Sequence, residues 1–249
     1  MATIAGTPNA KASAERRFYS WMAIGLVALV FLGFAPSFYL RDVVPAYPRP
    51  NPTLPLSVLV HGGLFSLWML AFVVQTQLVA AGRRDIHMKL GAASMVLAVS
   101  MVPVMYLIGV WQVARKNVPP FTTPLDWTSL PLFAIPAFAI LVWLGWQRRR
   151  QAQWHKRLML GAAMVVVLGP SFGRLPLTPP SKIGFAIQMA MTLLFFLPLF
   201  IWDRRTIGQT HPATKIAFGV YAVSMLVPVA LIVTGAWAPI AARFPGVGG

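Results

Sequence analysis

Residues 83–103, RRDIHMKLGAASMVLAVSMVP, combine a basic pair, a histidine, a Gly/Ala-rich opening, an apolar run and a proline. The pattern recurs more loosely at 148–170, RRRQAQWHKRLMLGAAMVVVLGP, and at 204–228, RRTIGQTHPATKIAFGVYAVSMLVP. In each copy the proline follows the histidine by 15 to 17 residues. Because about 20 apolar residues are enough for a helix to cross a bilayer, the recurrence predicts a membrane protein built from repeated helical hairpins.

The composition is that of an integral membrane protein. Of the 249 residues, 57% are hydrophobic and only 10% are charged, too few charges to cover the surface of a soluble domain of this size. The net charge of +16 comes from basic clusters between apolar runs, which is typical of membrane topology rather than of nucleic-acid binding. There is no cysteine, so thiolate metal sites and catalytic thiols are excluded. The expected partner is the lipid bilayer, and no nucleic acid is expected.

Seven apolar runs are long enough to span a membrane, so we predict an all-α integral membrane fold with a single polytopic domain over 1–249. The predicted spans cover about 19–40, 56–80, 89–113, 129–147, 156–175, 182–202 and 213–238. Spans 2 to 7 are predicted to form three repeated hairpins. The segments 1–18 and 239–249 are predicted tails.

The distribution of basic residues predicts the orientation. Fourteen of the 21 Lys and Arg residues fall on the side of the N-terminus and seven on the other. Since cytoplasmic loops are enriched in Lys and Arg, we expect the N-terminus inside and the C-terminus outside, in the inner membrane of a bacterium. The inner set is Lys11, Arg16, Arg17, Arg83, Arg84, Lys89, Arg148, Arg149, Arg150, Lys156, Arg157, Arg204, Arg205 and Lys215.

The histidines His87, His155 and His211 should all lie at the inner membrane boundary. Neutral imidazole is a common ligand of metals and of haem iron, so one interpretation is a site for haem b or a divalent metal. The alternative is that they are ordinary interfacial residues, with Asp85 and Thr210 serving as helix N-caps. If spans 3, 5 and 7 are neighbours, their inner ends could bring these imidazoles together, close enough for two or more to share a ligand.

A second candidate site lies in the outer half. His61 falls about five residues inside the second span, and an ionisable residue within the apolar zone is a functional candidate by default. Tyr106 and Gln188 are expected at a similar depth on two other helices. Arg174, on a further helix, is expected nearer the outer edge, with a side chain long enough to reach them. They predict an outward-opening pocket in which Arg174 holds an anionic or carbonyl-bearing ligand. The alternative is a structural polar layer, with Arg174 reaching the lipid headgroups.

The acidic residues and the lysines exclude two classes of protein. All five acids are expected outside the spans, which excludes an intramembrane proton relay or sodium site. The last span has no lysine near its middle, which excludes a retinal pigment with a Schiff base. The five acids are Glu15, Asp42, Asp85, Asp126 and Asp203.

The run HGGLFSLWMLAFVVQTQLVAAGRRDIHMKLG at 61–91 is similar to a pattern of uncharacterised bacterial multi-pass membrane proteins. It contains a His-Gly opening, a tryptophan, a glutamine, and then a basic residue and a histidine before Leu-Gly. The resemblance implies a seven-helix membrane fold and location but no reaction, and it singles out His61 and His87. Within this run, Gln75 is expected to hydrogen-bond to a neighbouring helix.

Three functional classes follow from these features. The histidines favour a protein that binds a cofactor or metal, redox-linked or acting as an assembly factor. The outer polar residues favour a carrier of a small lipophilic or anionic ligand. The short loops favour a structural or accessory subunit of a larger membrane complex. Whether the protein is an enzyme is left open.

Overall fold

A computed structural model describes residues 8–43 and 51–247, and over these residues the chain is all-α, as predicted. The helices are α1 (Pro8–Phe34) followed by a π-helical turn (Ala35–Tyr39), α2 (Leu56–Ala80), α3 (Arg84–Arg115), α4 (Pro124–Trp127), α5 (Ser129–Gln147), α6 (Ala152–Phe172), α7 (Lys182–Leu194), α8 (Leu197–Ile207), α9 (Pro212–Val233) and α10 (Trp237–Ala241). Residues 1–7 and 248–249 of the predicted tails, and 44–50 with Arg49 of a predicted outer loop, lie outside the described residues.

In the part of the chain that the structure describes, six helical segments are long and apolar enough to cross a membrane. They are Ala10–Tyr39, Leu56–Ala80, Arg84–Arg115, Pro124–Gln147, Lys182–Ile207 and Pro212–Val233. A multi-pass membrane protein is therefore the architecture that the helices support. The predicted fifth span corresponds to α6, which carries Lys156 and Arg157 near its start and is not one of the six.

Helix α6 lies in the middle of the bundle. It packs against α1, α5, α7 and α9, and nearly all of its side chains from Arg157 to Phe172 are buried. Close approach depends on small residues, as is usual between membrane helices. A Cβ added at Gly161 would lie 2.6 Å from the Cβ of Ala217 in α9, and one at Gly33 of α1 would lie 2.7 Å from the Ser171 carbonyl oxygen. Helix α2, by contrast, packs mainly on α1 and α3.

Two predicted spans are interrupted. The sixth divides at Phe195–Phe196, between α7 and α8, just before Pro198. A proline removes a backbone donor and its ring clashes with the carbonyl four residues earlier, so the helix breaks there. The seventh ends at Val233 rather than 238, because Gly235 adopts a φ of +70° and starts the turn into α10.

Both predicted tails contain folded residues. Residues 8–18 form the first turns of α1. Helix α10 packs on α4 and α9, and its Trp237 donates an indole hydrogen bond of 2.9 Å to the hydroxyl of Thr128. Further on, the Pro245 carbonyl accepts a hydrogen bond of 2.9 Å from the Tyr106 hydroxyl. The C-terminal segment therefore covers one end of the bundle as far as residue 247.

At the other end, which we call the basic end, four parts of the chain meet: the start of α1 and the loops 81–83, 148–151 and 208–211. Gln153 donates a hydrogen bond to Glu15 of α1. The rings of His87 and His155 are in contact, and so are those of Trp154 and His211. These contacts bring together the segments whose basic residues were assigned to the inner side. Which side of a membrane this end faces stays a prediction.

Candidate functional site

Two of the three inner histidines are adjacent. The ring centres of His87, in the first turn of α3, and His155, in the first turn of α6, lie 6.2 Å apart with planes at 84°. His211 instead packs edge-on against Trp154, with ring centres 5.3 Å apart. The structure thus brings together a pair, with the third imidazole beyond a tryptophan.

Hydrogen bonds orient the two rings of the pair. His155 Nδ1 lies 2.9 Å from the Gly145 carbonyl oxygen, and since a carbonyl only accepts, this nitrogen carries the proton and Nε2 keeps its lone pair. The Gln75 amide nitrogen donates to His87 Nδ1 at 2.5 Å and to the His87 carbonyl at 3.1 Å, while its oxygen accepts from the Gly91 N–H at 2.7 Å. Gln75 of α2 therefore bonds to α3, as the sequence predicted. The bond from His155 to a carbonyl is the support that metal-ligating histidines usually have.

His211 has a structural role in the described contacts. It is the N-cap of α9, where its Nδ1 accepts a hydrogen bond of 3.0 Å from the Ala213 N–H. The expectation that Thr210 caps this helix is therefore wrong, because the imidazole supplies the acceptor one residue later. Asp85 is not a cap either: α3 already begins at Arg84, and Asp85 lies in its first turn, paired with Arg83 at 3.3 Å.

The pKa of His211 is lower than the usual value of a histidine. Partial burial is the main cause, and the charge of Arg157 is the second, only partly offset by Asp203. Both burial and a nearby cation disfavour the protonated imidazole. The neutral form is also the one that accepts the capping hydrogen bond.

The pair offers few ligands for a bare metal ion. Among residues 8–43 and 51–247 there is no group of three or more His, Cys, Asp or Glu side chains that could hold a metal. Any ion between His87 and His155 would therefore take at most two of these protein ligands.

In the other half of the molecule, the structure brings His61 and Arg174 near each other. His61 stacks on Phe65 with ring centres 4.2 Å apart, and its buried Nδ1 has no hydrogen-bond partner among the described residues. The Arg174 guanidinium lies 4.1 Å from the ring centre of Phe34, donates to the Pro170 carbonyl at 2.7 Å, and is near enough for its charge to act on His61.

The other two residues of the predicted pocket have different surroundings. Tyr106 packs with Trp237 and Phe244 in the cluster around α10. Gln188 is half-buried on α7, which packs on α6 and α9. A cavity of about 240 Å³ lies between the start of α2 and the end of α3, lined in part by Trp111 and Arg115, and none of the four predicted residues lines it.

The most deeply buried charges were not predicted as a site. Arg157 of α6 and Asp203 of α8 are both fully buried. Arg157 Nε and Nη2 donate to Asp203 Oδ1 at 3.0 and 2.5 Å, and Nη1 donates to the carbonyl and the side-chain oxygen of Gln153 at 2.9 and 2.6 Å. The guanidinium therefore has four hydrogen bonds within the protein.

The second oxygen of Asp203 is also satisfied. Its Oδ2 accepts hydrogen bonds from the His211 backbone N–H at 2.9 Å and from the buried Thr214 hydroxyl at 2.6 Å. This network, which we call the clasp (Gln153, Arg157, Asp203, Thr214), joins α6, α8 and α9 at the basic end. Beside it, Lys156 forms an ion pair with Glu15 of α1.

The expectation that every acid lies outside the spans is therefore wrong for Asp203. It lies within the membrane-length segment Lys182–Ile207 and is fully buried. A carboxylate is tolerated there because a cation and two further donors compensate for its lost hydration. The sequence gives a weak indication that Asp203 is paired with a cation, since it directly precedes Arg204 and Arg205. Its partner Arg157 is 46 residues away in the chain, which no local pattern reveals.

No family model, curated protein or solved structure matches the chain. The resemblance of residues 61–91 to multi-pass membrane proteins of bacteria stays a prediction.

Proposed function

We propose that the protein is a seven-span membrane protein that binds one haem at its cytoplasmic face through His87 and His155. The observation that carries this proposal is the approach of the two imidazoles, whose ring centres are 6.2 Å apart. Two imidazoles on opposite sides of one iron have ring centres about 6 Å apart, because each metal–nitrogen bond is about 2 Å and each ring adds about 1 Å. The spacing thus suits bis-histidine ligation.

Haem is favoured over a bare divalent ion by the number of ligands. A structural or catalytic zinc site takes three or four protein ligands, and the described residues contain no such group. Haem iron needs only one or two axial ligands, since the porphyrin supplies the other four. The carbonyl bond at His155 Nδ1 leaves Nε2 as the ligating nitrogen. If the Gln75 amide turned over, its oxygen would accept from His87 Nδ1 and free Nε2 of that ring too.

The proposed topology rests on the packing of α6 and on the basic residues. Gly161 of α6 faces Ala217 of α9, and Gly169 faces Met225, so the two helices run side by side in the same direction. A seventh span at α6 is reasonable because its charges lie near one end, where they are paired. The positive-inside rule would then put the basic end, and the haem, on the cytoplasmic side of a bacterial inner membrane. A single haem at one face suits a redox-linked or haem-handling role better than electron transfer across the membrane.

The test is the haem content of the full-length protein, expressed with added haem precursor and purified in a mild detergent. We expect about one haem per chain, and we expect His87→Ala and His155→Ala each to remove most of it while the protein still inserts and purifies. His211→Asn is the matched control, since asparagine preserves the helix cap and the residue is outside the pair. Wild-type protein that takes up no haem, or variants of both histidines that keep it, would exclude the proposal.

A second candidate is a small-ligand site in the outer half, favoured by the buried Nδ1 of His61 beside Arg174 and two phenylalanine rings. We propose that it takes a small aromatic anion, since Arg binds carboxylates and the rings stack on an aromatic group. Benzoate is the probe: it should raise the thermal unfolding midpoint of wild-type protein and of His87→Ala, but not of His61→Ala. No shift in wild type would exclude this candidate. An accessory subunit is the remaining class, identified by co-purification of other chains in fixed stoichiometry.

A further inference from the structure

The basic end carries a concentrated positive charge that acids in the described part of the chain do not neutralise. Exposed arginines occur on each of its loops or their borders: Arg84, Arg148, Arg149, Arg150, Arg204 and Arg205. The three acids near this end already pair with other cations, since Glu15 pairs with Lys156, Asp85 with Arg83 and Asp203 with Arg157. Among the described residues, the six arginines therefore form a surface that no carboxylate pairs with.

The tertiary structure brings these arginines onto one surface. The contact of His87 with His155 joins the start of α3, where Arg84 lies, to the start of α6, which follows the loop 148–151. The contact of Trp154 with His211 joins loop 148–151 to the loop that follows Arg204 and Arg205. Like charges held near one another repel, and a bound anion relieves that repulsion.

Two of the guanidinium groups are held on tryptophans. Arg148 lies 4.7 Å from the ring centre of Trp154, and Arg149 lies 4.5 Å from that of Trp146. Tryptophan favours the depth of the lipid headgroups, where its amphipathic ring is both buried and wet. The stacked arginines are therefore expected at the level of lipid phosphates, and their donors suit bidentate phosphate binding.

We infer that the basic end is a binding surface for anionic phospholipid, centred on Arg148, Arg149 and Arg150. The surface would recognise the phosphate of a negatively charged headgroup in the leaflet around the end of α5 and the start of α6. A lipid suits this surface better than a soluble anion, because the arginines border helices with exposed apolar faces, such as Trp143 of α5 at 59% exposure. The inference is independent of haem binding.

The experiment compares lipids on the purified full-length protein in an uncharged detergent. Phosphatidylglycerol should raise the thermal unfolding midpoint by several degrees more than phosphatidylcholine does. Native mass spectrometry should show phosphatidylglycerol retained on the protein. In the triple variant R148Q/R149Q/R150Q, the phosphatidylglycerol-specific shift should fall by at least half. The matched control is R41Q/K182Q/R243Q, which removes three exposed cations from the opposite end, and it should keep the shift.

Several results would overturn the inference. These are equal shifts with the two lipids, an equal loss in both triple variants, or the same shift with inorganic phosphate, which would indicate a free-anion site. Polyglutamate that displaces the lipid would indicate an acidic protein partner instead. If the arginine variant fails to purify, the wild-type protein alone still tests the inference. Because salt screens charges, the phosphatidylglycerol-specific shift in its unfolding midpoint should shrink as the salt concentration rises from about 0.05 to 0.5 M. A salt-independent shift would exclude an electrostatic surface.

Discussion

Helices α2 and α6 have similar lengths but opposite positions in the bundle. In α6, 14 of 21 residues are buried, and the helix begins with His155, Lys156 and Arg157. Helix α2, unlike α6, is long and apolar enough to span a membrane, yet only its Trp68 and Met69 are buried. The less apolar helix lies in the centre and the more apolar one at the periphery.

This difference shows that apolarity does not decide burial in a membrane protein. Lipid chains are as apolar as a protein core, so leucine and valine gain little by leaving them. Small residues and paired polar groups gain more from a protein environment, the former through close packing and the latter through hydrogen bonds that lipid lacks. Helix α6 has both, in Gly161–Ala163 and in Arg157.

The variant with the largest expected effect removes Asp203, the counter-ion of the buried Arg157 in α6. Asp203→Ala should destabilise the protein by about 3–5 kcal/mol, because it leaves Arg157 buried without its counter-ion. Denaturant or thermal unfolding in detergent would measure this. Asp85→Ala, which removes an exposed ion pair with Arg83, should change the midpoint little. The double variant Arg157→Met, Asp203→Leu should recover much of the loss, and equal effects of the two alanine variants would show that the clasp is not a stabilising contact.

The next test compares one leucine in each helix. Leu168 of α6 is fully buried, whereas Leu70 of α2 is 56% exposed. Leu168→Ala should cost about 2–3 kcal/mol, mainly through the cavity and lost packing, and Leu70→Ala should cost much less since detergent or lipid refills the space. The unfolding midpoints of the two variants measure this difference in stability. A larger loss for Leu70 would indicate that α2 is covered by another chain in the native assembly.

A smaller effect is expected from adding one methyl group at glycine. At Gly161 the new Cβ would lie 2.6 Å from the Ala217 Cβ, whereas at Gly63 of α2 no atom lies within 4 Å. Gly161→Ala should destabilise by about 1–2 kcal/mol through overpacking, and Gly63→Ala should be neutral or slightly stabilising through helix propensity. The readout is again the unfolding midpoint, and a neutral Gly161→Ala would mean that α6 and α9 separate easily.

The smallest effect concerns pH at the junction of α6 and α9. The pKa of His211 in the folded protein is lowered, first by burial and then by Arg157, with Lys156 and Asp203 also acting on it. The unfolded state therefore binds the proton more readily, so this contribution to stability is complete above about pH 6.5 and is lost as the pH falls below it. His211→Asn keeps the helix cap without a titrating group, and it should flatten part of the fall in midpoint between pH 7 and 5. An unchanged pH profile would exclude this role.

Some elements could be read directly from the sequence. Helices α2 and α5 begin and end at the predicted residues, 56–80 and 129–147, because polar or proline-containing segments border their apolar runs. The break at Phe195–Phe196 lies inside an apolar run and depends on how Pro198 is accommodated. The Gly/Ala openings of α3 and α6 have the same sequence pattern, yet Gly161–Ala163 are buried while Ala92 and Ala93 are exposed.

The candidate sites, too, have some features that the sequence predicted and others that only the tertiary structure decided. That His87 and His155 lie at the same end of the bundle followed from the repeated pattern. Their contact, however, joins residues 68 positions apart, which only tertiary packing could bring about. Tyr106 was expected near His61, but it bonds to Pro245, because the C-terminal segment folds back over that end of the bundle.

By itself, the sequence determined the class of the protein, the approximate position of its long helices and the ends of α2 and α5. These properties depend on local composition: apolar runs of bilayer length, and prolines and charges that border them. The tertiary structure alone decided which helix lies at the centre and which charges may be buried. Burial of Arg157 and Asp203 is possible only when partners from α6, α8 and α9 meet, and their hydrogen bonds join segments that are distant in the chain. Such compensation is a property of the assembled bundle, because no single helix contains both the charge and all of its partners.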